Sequence, residues 1–306
     1  MRSRLLPLLL LPALLTACSG TDPSDASEAS AATTAQTRTV EHVRGTTEVP
    51  ADPQRVVVLD TGELDSAVAL GVTPVGAVRA PVDSGLLSYL EPELDGVELV
   101  GEIGEPDLEK IAALEPDLIL GSEIRVADFY DELSAIAPTV FSETVGVAWK
   151  DNLELHAQAL GKQDEAQQLL DAYTERAAAL GEQVDDATTV SVVRFVPGEI
   201  RLYAKDSFIG TVLADAGIAR PAAQDVEEFS VDVSREQIDK AAGDVVLVGT
   251  YGDPAETDGP AVLGGPLWAQ ATSGKRVVDV DDDVFFLGTG IGAADRVLHE
   301  LQQILA

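Results

Sequence analysis

Short apolar runs alternate with amphipathic stretches along most of the chain. Arg55-Val-Val-Val-Leu-Asp60 is a buried-strand pattern ending at Thr61-Gly62, and an amphipathic stretch carrying Leu64, Val68 and Leu70 follows from Glu63. Residues 75–78 and 97–100 repeat the strand pattern, residues 106–114 are helical, 118–120 strand-like, and 126–136 helical up to Pro138. Strands alternating with helices are the pattern of a mostly parallel sheet covered by helices. This alternation predicts a first α/β lobe over residues 40–160.

Residues 151–186 break the rhythm. A helix from Asn152 to Leu160 stops at Gly161, a suitable C-terminal residue. Asp164 then caps a stretch reaching about residue 184, with Ala166, Leu169, Leu170, Tyr173, Ala177 and Leu180 at helical spacing. Some twenty helical residues make a rod of about 30 Å. That is long for a crossover inside a small lobe and suits a strut between two, assigned to residues 161–186. The alternation restarts over 187–306. Residues 189–195 and 199–203 form a hairpin pattern around Pro197-Gly198, 207–216 a helix closed by Gly217, and 233–241 a helix. Residues 244–249, 277–279 and 284–287 read as strands, and 293–305 as a final amphipathic helix.

The two halves echo each other. Leu108-Glu109-Lys110-Ile111 precedes Asp117-Leu-Ile-Leu-Gly121, and Arg235-Glu236-Gln237-Ile238 precedes Asp244-Val-Val-Leu-Val-Gly249. Each is a helix-to-strand unit with a Glu near the helix start, where the helix dipole favours acids. The expected architecture is therefore α/β: two Rossmann-like lobes joined by a single long helix.

The N-terminus carries a different signal. Arg2 and Arg4 precede an apolar stretch over residues 5–15, interrupted by Pro7 and Pro12. That is a secretory leader, too short for a permanent span. Its end, Leu15-Thr16-Ala17-Cys18, resembles the bacterial lipobox, and Cys18 is the chain's sole cysteine. The resemblance implies a signal peptide over 1–17, acylation of Cys18, and a protein held at the outer face of the cytoplasmic membrane. Residues 18–39, rich in Ser, Thr, Ala and Asp, read as a flexible tether.

Composition narrows the chemistry. The formal charge of −33, from 53 acids and 20 bases, makes nucleic acid a poor partner. A single Cys excludes an internal disulfide, and His42, His156 and His299 are too scattered for a zinc site by spacing. No Gly-x-Ser-x-Gly elbow, P-loop or HExxH motif occurs. Gly288-Thr-Gly290-Ile-Gly292 lies too near the C-terminus for a phosphate cradle and reads as a loop. An enzyme on an α/β scaffold and a non-transport surface lipoprotein stay as alternatives.

Pro53-Gln-Arg-Val-Val-Val-Leu59, Pro106-Asp-Leu-Glu-Lys-Ile111, Glu115-Pro-Asp-Leu-Ile-Leu120 and Val233-Ser-Arg-Glu-Gln-Ile238 resemble the ferric-siderophore and cobalamin class of binding proteins of bacterial ABC importers. The resemblance runs from about residue 40 to the C-terminus. It implies two lobes on a rigid helix, a ligand in the cleft between them, no catalysis, and a monomer. It also implies docking of Glu109 and Glu236 into Arg pockets of a permease dimer that carries ATPase subunits. The stretch around Ser191-Val-Val-Arg194, Arg201-Leu-Tyr203 and Ser207-Phe208-Ile-Gly210 looks most like the siderophore branch. A receptor for cobalamin, haem or another metal chelate is the alternative on this scaffold.

A chelate receptor needs fixed donors and flat apolar walls. In open α/β sheets ligands sit beyond the carboxyl ends of strands. That rule selects Arg79, Arg125 and Arg194 as cationic candidates, with Arg201 beside them; the aromatic candidates are Tyr203, Tyr251 and Trp268, in or beside later loops, and Trp149, just before the inter-lobe helices. The chelator fills the iron coordination shell, so no cofactor and no direct protein–iron ligand is expected.

Overall fold

A computed structural model describes residues 36–81 and 85–305. The leader, Cys18 and tether residues 18–35 lie outside the described residues. In chain order the first part comprises β1 (Thr37–His42), β2 (Gly45–Pro50), β3 (Val56–Val58), α1 (Thr61–Ala69), β4 (Gly76–Arg79), β5 (Glu98–Glu102), β6 (Glu105–Pro106), α2 (Leu108–Ala113), β7 (Leu118–Ser122), α3 (Glu123–Val126), α4 (Tyr130–Ile136), β8 (Thr139–Ser142) and α5 (Trp149–Leu160). Then come α6 (Gln163–Gly181), β9 (Val190–Val196), β10 (Glu199–Tyr203), α7 (Phe208–Asp215), β11 (Ser230–Asp232), β12 (Val245–Thr250), α8 (Gly259–Leu263), α9 (Pro266–Ala271), β13 (Arg276–Asp279) and α10 (Ile291–Leu305).

The strands form two separate main sheets. The first has the order β6-β5-β4-β3-β7-β8, parallel except for the β5–β6 edge pair. Every residue of β3 and β7 is buried, as strands covered on both faces must be. The second has the order β11-β10-β9-β12-β13, with β9, β12 and β13 parallel and the hairpin β9–β10 at its antiparallel side. The two-lobe α/β architecture expected from the alternation is present.

The chain passes between the sheets through α6. Its buried residues Ala166, Tyr173, Ala177 and Leu180 recur at helical spacing and pack toward α5, α7 and α10. Trp149 meets Tyr173 edge-on at 5.0 Å, and the Tyr173 hydroxyl donates to Asp215 at 2.8 Å. One continuous apolar core extends from Val56, Val58 and Leu120 through these helices to Val190, Val192 and Leu247. The outer face of each sheet has a smaller core of its own.

The C-terminal helix ties the halves a second time. Though grouped by sequence with the second lobe, α10 packs against α1 of the first. Asp65 of α1, fully buried, accepts from the backbone N–H of Gly292 (2.7 Å) and Ala293 (2.9 Å) and from the Tyr89 hydroxyl (2.5 Å). The anion-favouring N-terminus of α10 is thus filled by the chain's own carboxylate. A β-carbon at position 290 would overlap that carboxylate, so only Gly fits there. This accounts for the Gly-rich segment read as a loop.

Local departures from expectation have identifiable causes. Residues 284–287, expected as a strand, belong to a π-helical turn, Asp283–Leu287. Asp281 caps it by accepting from the Asp283 N–H, and Gly288 closes it by donating to the Asp283 carbonyl. A short, wholly apolar run cannot be told from a helical turn by periodicity. The helix expected over 126–136 is broken by a tight 3-10 turn, Ala127–Phe129. The one expected over 233–241 is a 3-10 turn, Arg235–Ala241, capped by Ser234 with Gln237. Thr37–Thr39, assigned to the tether, belong to β1, which pairs with β2 along its whole length. This hairpin sits on the first lobe, with Thr47 Oγ1 donating to the Thr139 carbonyl at 3.0 Å.

Candidate ligand-binding site

A cavity of about 450 Å³ opens between the carboxyl ends of the two sheets. The first lobe supplies Ala80 and Pro81 after β4, Ile103 after β5, Arg125 on α3 and Val145-Gly146 after β8. The second supplies Arg194 and Val196 on β9, Arg201 and Tyr203 on β10, Phe208, Phe229, Tyr251 after β12, and Phe285, Phe286, Leu287 and Thr289. Parallel strands end together, so their following loops converge, and two facing sheets give two such loop clusters.

Arg194 is the most firmly held cation. Its side chain is nearly buried, and its fork lies bidentate on Asp282, with Nε to Oδ1 at 2.7 Å and Nη2 on Oδ2. Nη1 donates to the Tyr203 hydroxyl at 3.1 Å, and the guanidinium stacks 4.7 Å from Tyr251 and 4.9 Å from Phe286. Burial works against its charge, but the Asp282 and Tyr203 contacts outweigh it, and its pKa is raised. A planar, permanently charged fork held on both sides is pre-organised to meet oxygen acceptors.

Arg125 faces it from the first lobe. Its Nε donates to Asp60 at 2.8 Å, while 41% of its side chain stays exposed. Asp60 itself is buried and caps α1, accepting from the Thr61 N–H at 2.6 Å and hydroxyl at 3.0 Å. Arg201 completes the set, paired with Glu199 through Nε at 2.7 Å. Its pKa is raised, the Glu199 contact overcoming desolvation. The aromatic wall is edge-packed: Tyr203 lies 5.1 Å from Phe229 and 4.8 Å from Phe286.

Five of the eight sequence-selected residues therefore line one cavity: Arg125, Arg194, Arg201, Tyr203 and Tyr251. Three do not. Arg79 points along the rim, paired with Glu102 and donating to the carbonyls of Ala80 and Pro81. It holds the cavity-lining backbone instead of lining the cavity. Trp149 is 1% exposed, its Nε1 donating to Thr211 at 2.9 Å, and stands one layer behind Phe208. Trp268 is buried in the outer core of the second lobe, on α9, away from the cavity. Both tryptophans follow the general preference of large aromatics for burial over exposure at a rim.

Glu109 and Glu236 are exposed, each in the first turn of its helix. Glu109 lies a few residues after the cavity-lining Ile103, and Glu236 a few residues after Asp232, which pairs with the cavity-lining Arg201. The Glu236 carboxylate is held below its usual pKa by its own backbone N–H and by the Ser234 hydroxyl.

Residues 56–284 match the family model described as periplasmic binding protein. The chain belongs to the periplasmic binding protein family. It is 38% identical to "Probable siderophore-binding lipoprotein YfiY" of Bacillus subtilis (strain 168), an alignment covering 98% of this chain and 96% of the relative. It is 32% identical to the achromobactin-binding periplasmic protein of Dickeya dadantii (strain 3937), over 82% of this chain and 86% of that one. Among solved structures, Staphylococcus aureus SirA complexed with staphyloferrin B superposes with a TM-score of 0.78 at 31% identity, covering 87% of this chain and 97% of SirA. The cavity of this periplasmic binding protein lies between its two lobes.

Several residues of this binding protein's cleft were missed in the sequence. Phe285 and Phe286 line the cavity from the π-helical turn, in a run whose pattern predicts a strand. Asp282 and Asp60, which hold the lining Arg194 and Arg125 without lining the cavity themselves, are not reached by the strand-end rule when it is applied to cations alone. Asp60 directly follows the β3 run and satisfies that rule as well as Arg125 does.

Proposed function

We propose that this chain is an extracytoplasmic receptor that captures a ferric siderophore in the cleft between its lobes and presents it to an ABC import permease. The observation that carries the reading is the cleft itself. Arg125, Arg194 and Arg201 converge on it from both lobes, each backed by a carboxylate, beside a wall of Tyr203, Phe229, Tyr251 and Phe286. Cations held in place this way suit the peripheral oxygens of an anionic chelate, and the rings suit its flat faces. The chelator fills the metal's coordination shell, so the protein contributes shape and charge and no direct iron ligand, and catalyses nothing. The siderophore-binding name of the Bacillus subtilis relative supports the same ligand class.

Calorimetric titration of the purified chain tests this. Ferric citrate, a ferric citrate-hydroxamate, a ferric tris-catecholate, cyanocobalamin and haem make a sufficient panel. At least one ferric chelate binds with submicromolar affinity; tight binding of cobalamin or haem alone overturns the reading.

Delivery places the protein on the outer face of the cytoplasmic membrane through acylated Cys18, as a monomer. Glu109 and Glu236, exposed on separate lobes, dock into basic sites on the permease dimer, which is driven by its ATPase subunits. The double variant Glu109→Arg, Glu236→Arg is expected to abolish iron uptake in cells that depend on this receptor. Ligand affinity should stay within about twofold, because neither residue lines the cavity and rim charges govern encounter more than a distant pocket. Normal uptake by the double variant excludes these residues as the docking pair.

A further inference from the structure

Beneath the cleft lies a carboxyl group that the binding site as described leaves unused. Glu63, in the first turn of α1, is 1% exposed, and neither of its carboxyl oxygens has a hydrogen-bond partner. Its own amide lies close without the geometry of a hydrogen bond. A charged carboxylate so placed is strongly disfavoured, because no donor replaces the water it gave up. Three positions earlier, at the N-cap of the same helix, Asp60 carries Arg125, whose exposed face lines the cavity.

We propose that Glu63 sets the anion affinity of the cleft: un-ionised, it leaves Arg125 balanced by Asp60 alone, and ionised, it adds a second negative charge behind Arg125 and weakens the hold on an anionic chelate. The inference rests on reading the cleft as an anion-binding site.

The surroundings leave few other groups to act on Glu63. On α1 itself, Asp65 is engaged with Tyr89 and the N-terminus of α10. On α5, His156 is buried and its pKa is pushed down by that burial to about 3, so it is neutral. On α10, Asp295 pairs with Arg176, and Arg296 donates to the Tyr89 carbonyl. At the end of β4, Arg79 pairs with Glu102. The charges that bear on Glu63 are Asp60, which disfavours its anion, and Arg125, which favours it. Burial is the largest influence, and together they place its pKa at about 8. The cluster of Asp60, Glu63 and Arg125 is therefore neutral overall at pH 7 and singly negative above pH 8.

Linkage gives the sign. An anionic ligand prefers the un-ionised acid, so binding raises the Glu63 pKa and takes up a proton, and affinity falls as pH rises through about 8. At an effective dielectric of about 20, a unit charge added behind Arg125 is expected to change affinity on the order of tenfold once screened.

The test measures affinity of the full chain and of Glu63→Gln at pH 6.5, 7.5, 8.5 and 9.5. The probe is whichever of ferric citrate, ferric citrate-hydroxamate or ferric tris-catecholate binds most tightly at pH 7.5. The wild type should lose about tenfold across the range relative to the Gln variant, which removes the ionisation and shares any pH dependence of the chelate. A second readout needs no variant: calorimetry in two buffers of different ionisation enthalpy should show the wild type taking up about half a proton near pH 8.5. Parallel affinity–pH curves, or no proton uptake by the wild type, overturn the role of Glu63 and leave the cleft as the binding site. Failure of every chelate to bind the wild type at any pH overturns the reading of the cleft, and this inference with it.

Discussion

Arg194→Gln lowers affinity for the captured ferric chelate by about a hundredfold or more, the largest loss expected from a single change in the cleft. The residue is 6% exposed and its guanidinium is fixed by four neighbours: Asp282, Tyr203, Tyr251 and Phe286. Its orientation is thus settled before ligand arrives, so little is lost in ordering it on binding. Replacement by Gln also turns a paired Asp282 into an uncompensated carboxylate facing an anionic ligand. Truncating one partner of a buried ion pair costs about 2–5 kcal/mol in binding systems, which sets the scale. Arg194→Lys keeps the charge but not the fork. It should recover only part of the loss, because an ammonium group cannot hold both Asp282 oxygens and stack between Tyr251 and Phe286 as well. Titration of both variants against the tightest-binding chelate decides it. Binding by Arg194→Gln within threefold of wild type would move the anion contact to Arg125 or Arg201.

The contrast between Arg194 and Trp149 shows what the sequence carried and what it did not. Both are candidates by sequence. Arg194 reaches the cavity because β9 is central in its sheet and parallel to β12, so its carboxyl end opens between the lobes. That much follows from strand order and chain direction, which short apolar runs reveal. Trp149 fails because its place depends on how α5, α6 and α7 pack together, and its 5.0 Å edge contact with Tyr173 and its bond to Thr211 are tertiary facts. The same division holds for the fold. The β3–α1–β4 alternation and the long α6 were legible because burial on both faces, or on one helical stripe, imposes a period. The turn at Asp283–Leu287 was not, since Val284, Phe285 and Phe286 are all buried in succession and no period survives.

Polar side chains that act through others were hardest to find. Asp282 lies in the run Asp279-Val-Asp-Asp-Asp283, where nothing in composition marks one acid as the partner of an arginine nearly ninety residues away. Asp65 likewise looks like an ordinary helix acid until the backbone of Gly292 and Ala293 is brought onto it. Charge pairing across the fold is set by the sheets and helices that carry the groups, so it becomes readable only once those are placed.

Glu63 offers a second large effect, on stability. Its pKa is about 8 in the folded chain against an ordinary value of 4.5, chiefly because burial penalises the anion. Below pH 4.5 the group is protonated in both folded and unfolded chains and contributes its full share. Between pH 4.5 and 8 the unfolded chain has released the proton while the folded chain keeps it. Folding then binds a proton, and stability falls as pH rises, by about 1.4 kcal/mol per unit at most. Above pH 8 both forms are ionised and the loss is complete, on the order of 4 kcal/mol. Glu63→Gln has no proton to lose. It should match the wild type near pH 5 and melt roughly 10 °C higher by pH 8.5, at about 2–4 °C per kcal/mol for a domain of this size. Asp65 and Glu300, whose pKa values are also raised by burial, contribute the same slope to both proteins and cancel in the difference. Melting curves of the two proteins at half-unit steps from pH 5 to 9 give the result directly. Curves that stay parallel would mean that Glu63 is ionised in the folded chain and finds a donor, a result that would also remove the charge-setting role assigned to it beneath Arg125.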